Sequence, residues 1–224
     1  MRLMLVPGFT QTARSWDRVI DELPGSVEAR ALDVPTGLDF VETAHALGEA
    51  GGKGVYVGYS MGGRLCLQLA LERPQLIERL VLISASPGIG DAAERAARGA
   101  ADEEWADLLE SQGADAFYDR WLAQPLFATL SPEAAALDAR SRDVAVLAHQ
   151  LRALGQGTVE PLWDRLGEIS IRVCLTVGML DERYVGIASA MRPRFPDAAV
   201  QVVQGAGHAV HLEQPHVVAR IVAS

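Results

Sequence analysis

Short apolar runs alternate along this chain with longer stretches in which apolar residues recur every three or four positions. The short runs predict β-strands and the periodic stretches predict amphipathic helices. Runs such as Val-Leu-Ile-Ser and Val-Cys-Leu-Thr-Val show no polar alternation, which is typical of parallel strands buried on both faces. We therefore predict an α/β fold with a mainly parallel sheet, whose strands span residues 3–6, 27–32, 54–58, 80–84, 171–177 and 199–203.

Helices are predicted between most of these strands, so that they cover both faces of the sheet. They span residues 13–23, 40–50, 61–73, 182–194 and 215–222. Residues 87–166 depart from the alternation, because they contain helical patterning and no strand signal. A crossover between parallel strands needs only about a dozen residues. We therefore expect residues 1–86 and 167–224 to form the core and residues 87–166 to form a helical lid over the strand ends, the alternative being a helical layer without contact to a site.

Composition and charge narrow the possible functions. The formal net charge of −9 disfavours binding to a phosphate backbone, so no nucleic-acid partner is expected. No apolar run reaches the roughly 18 residues that cross a bilayer, and the first residues are too few for a signal peptide. We therefore expect a cytoplasmic protein without a membrane association. Cys66 and Cys174 lie in apolar segments away from any motif spacing, and we expect buried thiols.

A nucleophile motif lies between the third strand and the helix that follows. Residues 58–62 read Gly-Tyr-Ser-Met-Gly, and this strand–turn–helix context is the one in which a nucleophile elbow occurs. The glycines permit a close approach of strand and helix, and the helix N-terminus directs amide groups toward charge that develops beside Ser60. A plain glycine-rich turn is the alternative. We predict that Ser60 is a catalytic nucleophile or base.

A serine hydroxyl needs a neighbouring base, and two later strand ends supply the candidates. Asp181 follows the fifth strand and His208 follows the sixth, in the order Ser, acid, His that α/β-hydrolases show. Asp181 would orient the imidazole and His208 would carry the proton. The alternatives are a helix-capping Asp181 and a surface His208. Asp33 also follows a strand, but it precedes Ser60 and breaks the order.

Two further features of these loops concern the oxyanion hole and metal binding. Amide donors are expected at Met61, directly after the nucleophile, and at Phe9, in the loop after the first strand. His211 and Glu213 lie close to His208 in sequence, but this pattern alone is a weak metal motif. We expect neither a metal nor an organic cofactor.

The motif-bearing segments resemble one enzyme family, the 2-succinyl-6-hydroxy-2,4-cyclohexadiene-1-carboxylate synthases of the menaquinone pathway, called MenH. The similar segments are residues 58–89, 94–106, 121–127, 154–163, 177–184 and 205–215. The resemblance implies an α/β-hydrolase fold and a carbon–carbon lyase reaction. In that reaction the triad serine, made basic by its His and Asp, removes a proton and pyruvate is eliminated.

The resemblance also implies a small-molecule substrate with several carboxylates and a set of residues that bind it. Arginine suits such a ligand because its planar fork binds a carboxylate through two hydrogen bonds. Arg64 and Arg98 match two arginines of the family, and a one-residue gap leaves both Arg140 and Arg142 as candidates for the third. Tyr59, Trp121 and Phe127 match aromatic residues of the family's pocket. Each arginine alone is equally compatible with a solvated helix face.

The chain departs from the family in three places, one of which is that residues 33–37 read Asp-Val-Pro-Thr-Gly where the family usually has Asp-x-Pro-Gly-His-Gly. It has Pro7-Gly8 where the family usually has His-Gly, and it begins at the strand of the oxyanion loop, so we expect six strands without the fold's first two antiparallel ones. Two alternatives to the lyase remain. One is a serine hydrolase of a small ester, thioester or carbon–carbon substrate, because one fold and triad support many reactions. The other is a ligand-binding module without turnover. The oligomeric state does not follow from the sequence.

Overall fold

A six-stranded sheet forms the centre of the computed structural model, which describes residues 1–224. The strands are β1 (Arg2–Val6), β2 (Glu28–Ala31), β3 (Gly54–Tyr59), β4 (Ile77–Ile83), β5 (Val173–Gly178) and β6 (Ala198–Val203). Their order across the sheet is β2-β1-β3-β4-β5-β6, and every neighbouring pair is parallel. The predicted parallel α/β sheet is confirmed.

Eight α-helices accompany the sheet: α1 (Asp17–Ile20), α2 (Phe40–Gly51), α3 (Met61–Glu72), α4 (Ala92–Trp121), α5 (Val144–Leu154), α6 (Glu182–Met191), α7 (Val210–Glu213) and α8 (Pro215–Ala223). None of them combines the length and the apolarity that a bilayer crossing requires.

Some predicted boundaries were wrong. The predicted helix 13–23 is a 3₁₀ turn followed by the short α1, which ends at Ile20 before the chain reaches Pro24. The predicted helix 182–194 ends at Met191 and continues as a 3₁₀ turn through Pro193, whose ring cannot continue the helical hydrogen-bond pattern. Strand β4 begins at Ile77 rather than at residue 80. The charged residues Glu78 and Arg79 interrupt the apolar run, so the hydrophobic pattern did not indicate where the strand starts.

The alternation of side chains along β1 creates two cores. Met4 and Val6 point to the face covered by α2, α3 and α6, whereas Leu3 and Leu5 point to the face covered by α1 and α8. All four are buried. Strand order reverses between β1 and β3, which lie side by side but lead to opposite halves of the sheet. Ligands bind at such a switch point in open α/β sheets.

A helical insertion occupies the chain between β4 and β5, as predicted from the missing strand signal. Helices α4 and α5 pack against each other around a third apolar cluster that includes Phe117, Leu147 and Leu151. Helix α4 bends at Gly113, whose φ of 80° is outside the helical region. Phe9 of the loop after β1 joins the same cluster, with its ring centroid 5.0 Å from that of Trp121. The insertion therefore packs directly over the ends of β1 and β3.

Candidate active site

Ser60 lies on a sharp turn between β3 and α3. Its φ of 50° is in the left-handed region that non-glycine residues rarely adopt. The turn is possible because its neighbours have no side chains. A Cβ on Gly58 would lie 2.5 Å from the carbonyl oxygen of Gly62, and one on Gly62 would collide with the carbonyl oxygens of Val6 and Pro7. The structure therefore shows the strained strand–turn–helix geometry that the motif predicts.

The three residues predicted as a triad converge at the ends of β3, β5 and β6. His208 Nε2 lies 3.3 Å from Ser60 Oγ, and His208 Nδ1 lies 2.7 Å from Asp181 Oδ2. Both His208 and Asp181 are buried. With the ring proton on Nδ1 donated to the carboxylate, Nε2 is free to accept the proton of Ser60. This arrangement can generate a basic or nucleophilic serine oxygen.

Asp181 and His208 are each held in place by contacts close to them in the chain. The second carboxylate oxygen of Asp181 accepts the amide of Tyr184 at 3.2 Å, which makes Asp181 the N-cap of α6. Asp181 is thus both a capping residue and the partner of His208.

Glu213 fixes the backbone on both sides of His208. Its Oε2 accepts the amide of Gly207 at 2.8 Å, and its Oε1 accepts the amide of Ala209 at 3.1 Å. His211, which the sequence placed nearby, instead pairs through Nε2 with Gln11 Oε1 at 3.0 Å. No cluster of three or more His, Cys, Asp or Glu side chains is suited to hold a metal ion.

Phe9 and Met61, whose amides were predicted to form an oxyanion hole, both lie on the wall of the cavity beside Ser60. Neither amide donates in the backbone hydrogen bonds of the turns, loops and caps. The loop that carries Phe9 is shaped by Thr10, whose φ of 73° is again left-handed, and by the bond from the Gln11 amide to the Gly8 carbonyl at 3.1 Å. Because preformed donors stabilise developing negative charge at little reorganisation cost, these two amides suit an anionic intermediate.

A cavity of about 320 Å³ opens beside Ser60, between the sheet and the insertion. Its wall contains all but one of the residues that the sequence and the resemblance proposed for a ligand or for the oxyanion hole: Phe9, Tyr59, Met61, Arg64, Arg98, Trp121, Phe127 and Arg140. Ser60 and His208 also lie on the wall. Tyr59 is fully enclosed there, and burial raises the pKa of its hydroxyl far above the usual value. The structure thus brings residues from distant segments to one enclosed site.

Two guanidinium groups on this wall are buried without a carboxylate partner. Arg64 donates from Nη2 to the carbonyl of Leu154 at 2.8 Å, and its Nη1 has no partner. Arg140 donates from Nε to the carbonyl of Ala135 at 2.8 Å and from Nη1 to Thr10 Oγ1, and its Nη2 has no partner. Burial lowers the pKa of Arg64 to about 10 and also lowers the pKa of Arg140. Both cations have donor capacity left for an anion.

The third wall arginine that the resemblance implied is held by a carboxylate. Arg98 Nε lies 2.7 Å from Asp102 Oδ1, one turn further along α4. Asp102 is almost completely buried, and its Oδ2 has no hydrogen-bond partner. Arg98 therefore enters the site in a fixed orientation.

Arg142 does not reach the cavity. Residue 143 caps α5, and the Arg142 side chain turns outward to pair with the exposed Asp115. Arg140 faces inward instead, because its backbone forms an antiparallel bridge with Gln11. Of the two candidates left open by the sequence gap, only Arg140 lies on the wall.

Several residues of the wall were not proposed from the sequence. Among them are Gln11, Asp102, Trp105 and Tyr184. The ring centroid of Tyr184 is 4.5 Å from that of His208. Tyr184 and Asp102 lie within segments that resemble the family, so the resemblance could have indicated them as wall residues. Gln11 had no such signal.

Comparison with known proteins identifies the family to which the chain belongs. Residues 3–221 match the family model described as Alpha/beta hydrolase family. A Bacillus subtilis (strain 168) protein, provisionally named as a 2-succinyl-6-hydroxy-2,4-cyclohexadiene-1-carboxylate synthase, is 35% identical over 74% of this chain and 63% of its own length. The synthase of that name from Serratia proteamaculans is 29% identical over 89% of this chain and 79% of its own length. The chain spans only 14% of Protein PHYLLO from Arabidopsis thaliana, at 28% identity.

Solved structures agree with the sequence comparison. MenH from S. aureus superposes with a TM-score of 0.93 at 26% identity, covering 99% of this chain and 91% of that one. An esterase from Thermogutta terrifontis superposes with a TM-score of 0.81 at 19% identity, covering 99% of this chain and 88% of that one, and it shows a shared fold.

Proposed function

We propose that this member of the alpha/beta hydrolase family catalyses the elimination of pyruvate that forms 2-succinyl-6-hydroxy-2,4-cyclohexadiene-1-carboxylate in menaquinone biosynthesis. The similarity of the chain to synthases of that compound supports the proposal. The reaction is a lyase step on a small molecule. The helical insertion acts as the lid that encloses the substrate.

The observation that supports this proposal is the pair of buried, unpaired guanidinium groups beside the triad. The product's name describes a succinyl group and a ring carboxylate, and the departing pyruvate adds another carboxylate. Arg64 and Arg140 lie on the cavity wall and each keeps one buried nitrogen without a partner, and Arg98 adds a third cation. A buried charge without a partner is costly, so such groups are expected to meet an anionic ligand. A site for neutral esters would have no use for them.

The triad supplies the base in this mechanism. Ser60 gives its proton to His208 Nε2, and Asp181 stabilises the imidazolium through the bond at 2.7 Å. The serine oxygen then takes a proton from a substrate carbon. The electron pair of that C–H bond forms the new double bond of the ring, and the bond to pyruvate breaks. Pyruvate leaves as its enolate, which takes up a proton, and no acyl-enzyme forms.

The amides of Phe9 and Met61 act on the charge that develops in this step. They stabilise an enolate-like oxygen rather than a tetrahedral adduct. Tyr59, Trp121 and Phe127 contribute enclosing apolar surface, which excludes water and strengthens the electrostatic interactions within the cavity.

A serine hydrolase is the second candidate, and the triad geometry itself favours it. A serine at this distance from an imidazole, with two oxyanion donors, also suits attack on an ester carbonyl. The arginines distinguish the two, because ester hydrolysis does not require several buried cations.

The test is to add the pathway precursor that loses pyruvate and to follow pyruvate release with a coupled dehydrogenase, beside a parallel assay with a neutral nitrophenyl ester. We expect release of one pyruvate per precursor and slow ester turnover. Rapid ester turnover without pyruvate release would replace the lyase with the hydrolase.

A further inference from the structure

Gln11 lies on the cavity wall next to Arg140. The two backbones form an antiparallel bridge, and residues paired in this way carry their side chains on the same face at a Cβ separation of about 5 Å. The contact is reinforced on both sides, since the Thr12 amide donates to the Ala139 carbonyl at 3.0 Å and the Ser141 amide donates to the Thr10 carbonyl at 2.8 Å. Both side chains belong to the same cavity wall.

His211 determines which end of the Gln11 carboxamide faces the cavity. Burial, and after it the charges of Arg140 and His208, lower the pKa of His211 well below its usual range, so the ring is neutral and carries one proton. Nδ1 has no partner, whereas Nε2 lies 3.0 Å from Gln11 Oε1. A buried N–H without an acceptor is rarer and costlier than an unused lone pair, which places the proton on Nε2. His211 therefore donates to Oε1 and leaves the Gln11 NH₂ group free.

The His211 ring is itself fixed by aromatic neighbours. Its centroid lies 4.2 Å from that of Tyr59 and 4.7 Å from that of Trp16. His211 and Trp16 are both fully buried. Rotation of the imidazole would require repacking of this cluster, so the Gln11 carboxamide is held in one orientation.

We propose that Gln11 contributes a donor to a carboxylate-binding subsite on the wall that it shares with Arg140: the Gln11 NH₂ group donates to a ligand carboxylate, and the Arg140 guanidinium supplies positive charge beside it. His211 acts as the positioning residue for Gln11. The subsite rests on the proposed function for the identity of its natural ligand, one carboxylate of the precursor, but its chemistry does not depend on turnover. It assigns a substrate contact to a residue of the oxyanion loop that no sequence motif indicates.

The test uses Gln11→Met, which keeps the side-chain length and removes the donor. Two measurements are made: the KM for the precursor by pyruvate release, and the Kd for succinate by calorimetry, which needs no reaction. We expect Gln11→Met to raise both by roughly tenfold, because a hydrogen bond to a charged group is lost, with kcat little changed. Gln201→Met is the matched control on the exposed side of β6 and should change neither constant.

The positioning role of His211 is tested by a double-mutant cycle. His211→Phe keeps an aromatic ring and removes the donor to Gln11. It should raise the succinate Kd in the wild type and add little in the Gln11→Met background. Equal effects in both backgrounds would show that His211 acts on packing alone.

The outcomes separate the subsite from the proposed function. If the wild type releases no pyruvate but Gln11→Met still weakens succinate binding, the function fails and the subsite stands. If Gln11→Met retains the wild-type KM and Kd, the subsite is overturned. A wild type that neither releases pyruvate nor binds succinate would overturn both.

Discussion

In the proposed function, substrate recognition depends on Arg64 and Arg140. Each guanidinium is buried and satisfied only in part, by a carbonyl and, for Arg140, a hydroxyl. These carbonyl and hydroxyl acceptors partly replace the water that would solvate each guanidinium. In the proposed function, a ligand anion supplies the rest of the compensation for the buried charge. The overall charge of the chain does not indicate these buried cations, since the protein is acidic with a net charge of −9. The cavity wall nevertheless contains more arginines than carboxylates, since Arg64, Arg98, Arg140 and Arg183 lie on it with Asp102.

Replacing Arg140 with Met should separate binding from catalysis. We expect Arg140→Met to raise the KM for the precursor by about 10- to 100-fold, because a charge-assisted hydrogen bond to a carboxylate is lost, while kcat changes less. Steady-state kinetics of pyruvate release measure both constants. Arg142→Met is the control, since Arg142 lies outside the cavity. A larger effect from Arg142→Met would contradict the placement of these two side chains.

Single residues were predictable to different degrees. Ser60, Asp181 and His208 follow strand ends, and parallel strands deliver their ends to one edge, so periodicity and chain order indicated them together. The choice between Arg140 and Arg142 depended on a bridge to Gln11, which is distant in sequence. No local pattern specifies such a contact. Gln11 itself was missed for the same reason.

At the level of elements, the loops that follow the strands fix the positions of the triad side chains more than the strands themselves do. The loop after β6 is held by Glu213, whose two carboxylate oxygens accept amides on either side of His208. The loop after β5 is held by the cap that Asp181 forms on α6. The first contact fixes the backbone that carries the His208 imidazole, and the second fixes Asp181, to which the imidazole is hydrogen-bonded. Helix boundaries were less predictable than the loops, because Pro193, for example, ends a helix that the apolar period alone would continue.

Glu213→Ala should impair catalysis without impairing binding. Loss of both backbone contacts allows His208 to move relative to Ser60, and a displacement of about 1 Å can cost on the order of 100-fold in rate. We expect kcat to fall by about that factor while the succinate Kd is unchanged. Circular dichroism establishes that the variant is folded. Equal losses in kcat and in succinate binding would indicate a general disruption of the site instead.

At the level of the whole molecule, the site exists because the insertion packs onto the oxyanion loop. Phe9 of the core joins the apolar cluster of the insertion, and residues 139–141 pair with the loop after β1. The parallel sheet and the presence of a helical insertion followed from the hydrophobic pattern, whereas the order of the strands did not. The way the insertion packs did not, because it depends on contacts between surfaces that periodicity does not pair. The bend of α4 at Gly113 likewise has no signal beyond one glycine in a helical stretch.

The buried Asp102 of the insertion predicts a pH dependence of stability. Burial raises the pKa of Asp102 above its usual 3.8, although Arg98 beside it opposes the shift. Between the unfolded and the folded pKa the native state binds more protons than the unfolded state, so this group's contribution to stability falls as pH rises. Asp102→Asn removes that contribution.

Urea unfolding of the wild type and Asp102→Asn over a pH series measures this effect. The free energy of unfolding of the wild type, minus that of the variant, should decrease as pH rises from about 4 and then level off. A difference that is constant, or that grows with pH, would contradict the assigned direction.

In the proposed mechanism, the Ser60 oxygen, activated by His208 and Asp181, removes a proton from a ligand held by the buried arginines. Pyruvate release by Ser60→Ala, measured beside succinate binding by the same variant, tests it most directly. We predict a fall in kcat of about 10⁴- to 10⁶-fold with an unchanged succinate Kd, since the arginines are intact. Pyruvate release at a rate close to that of the wild type would contradict the claim.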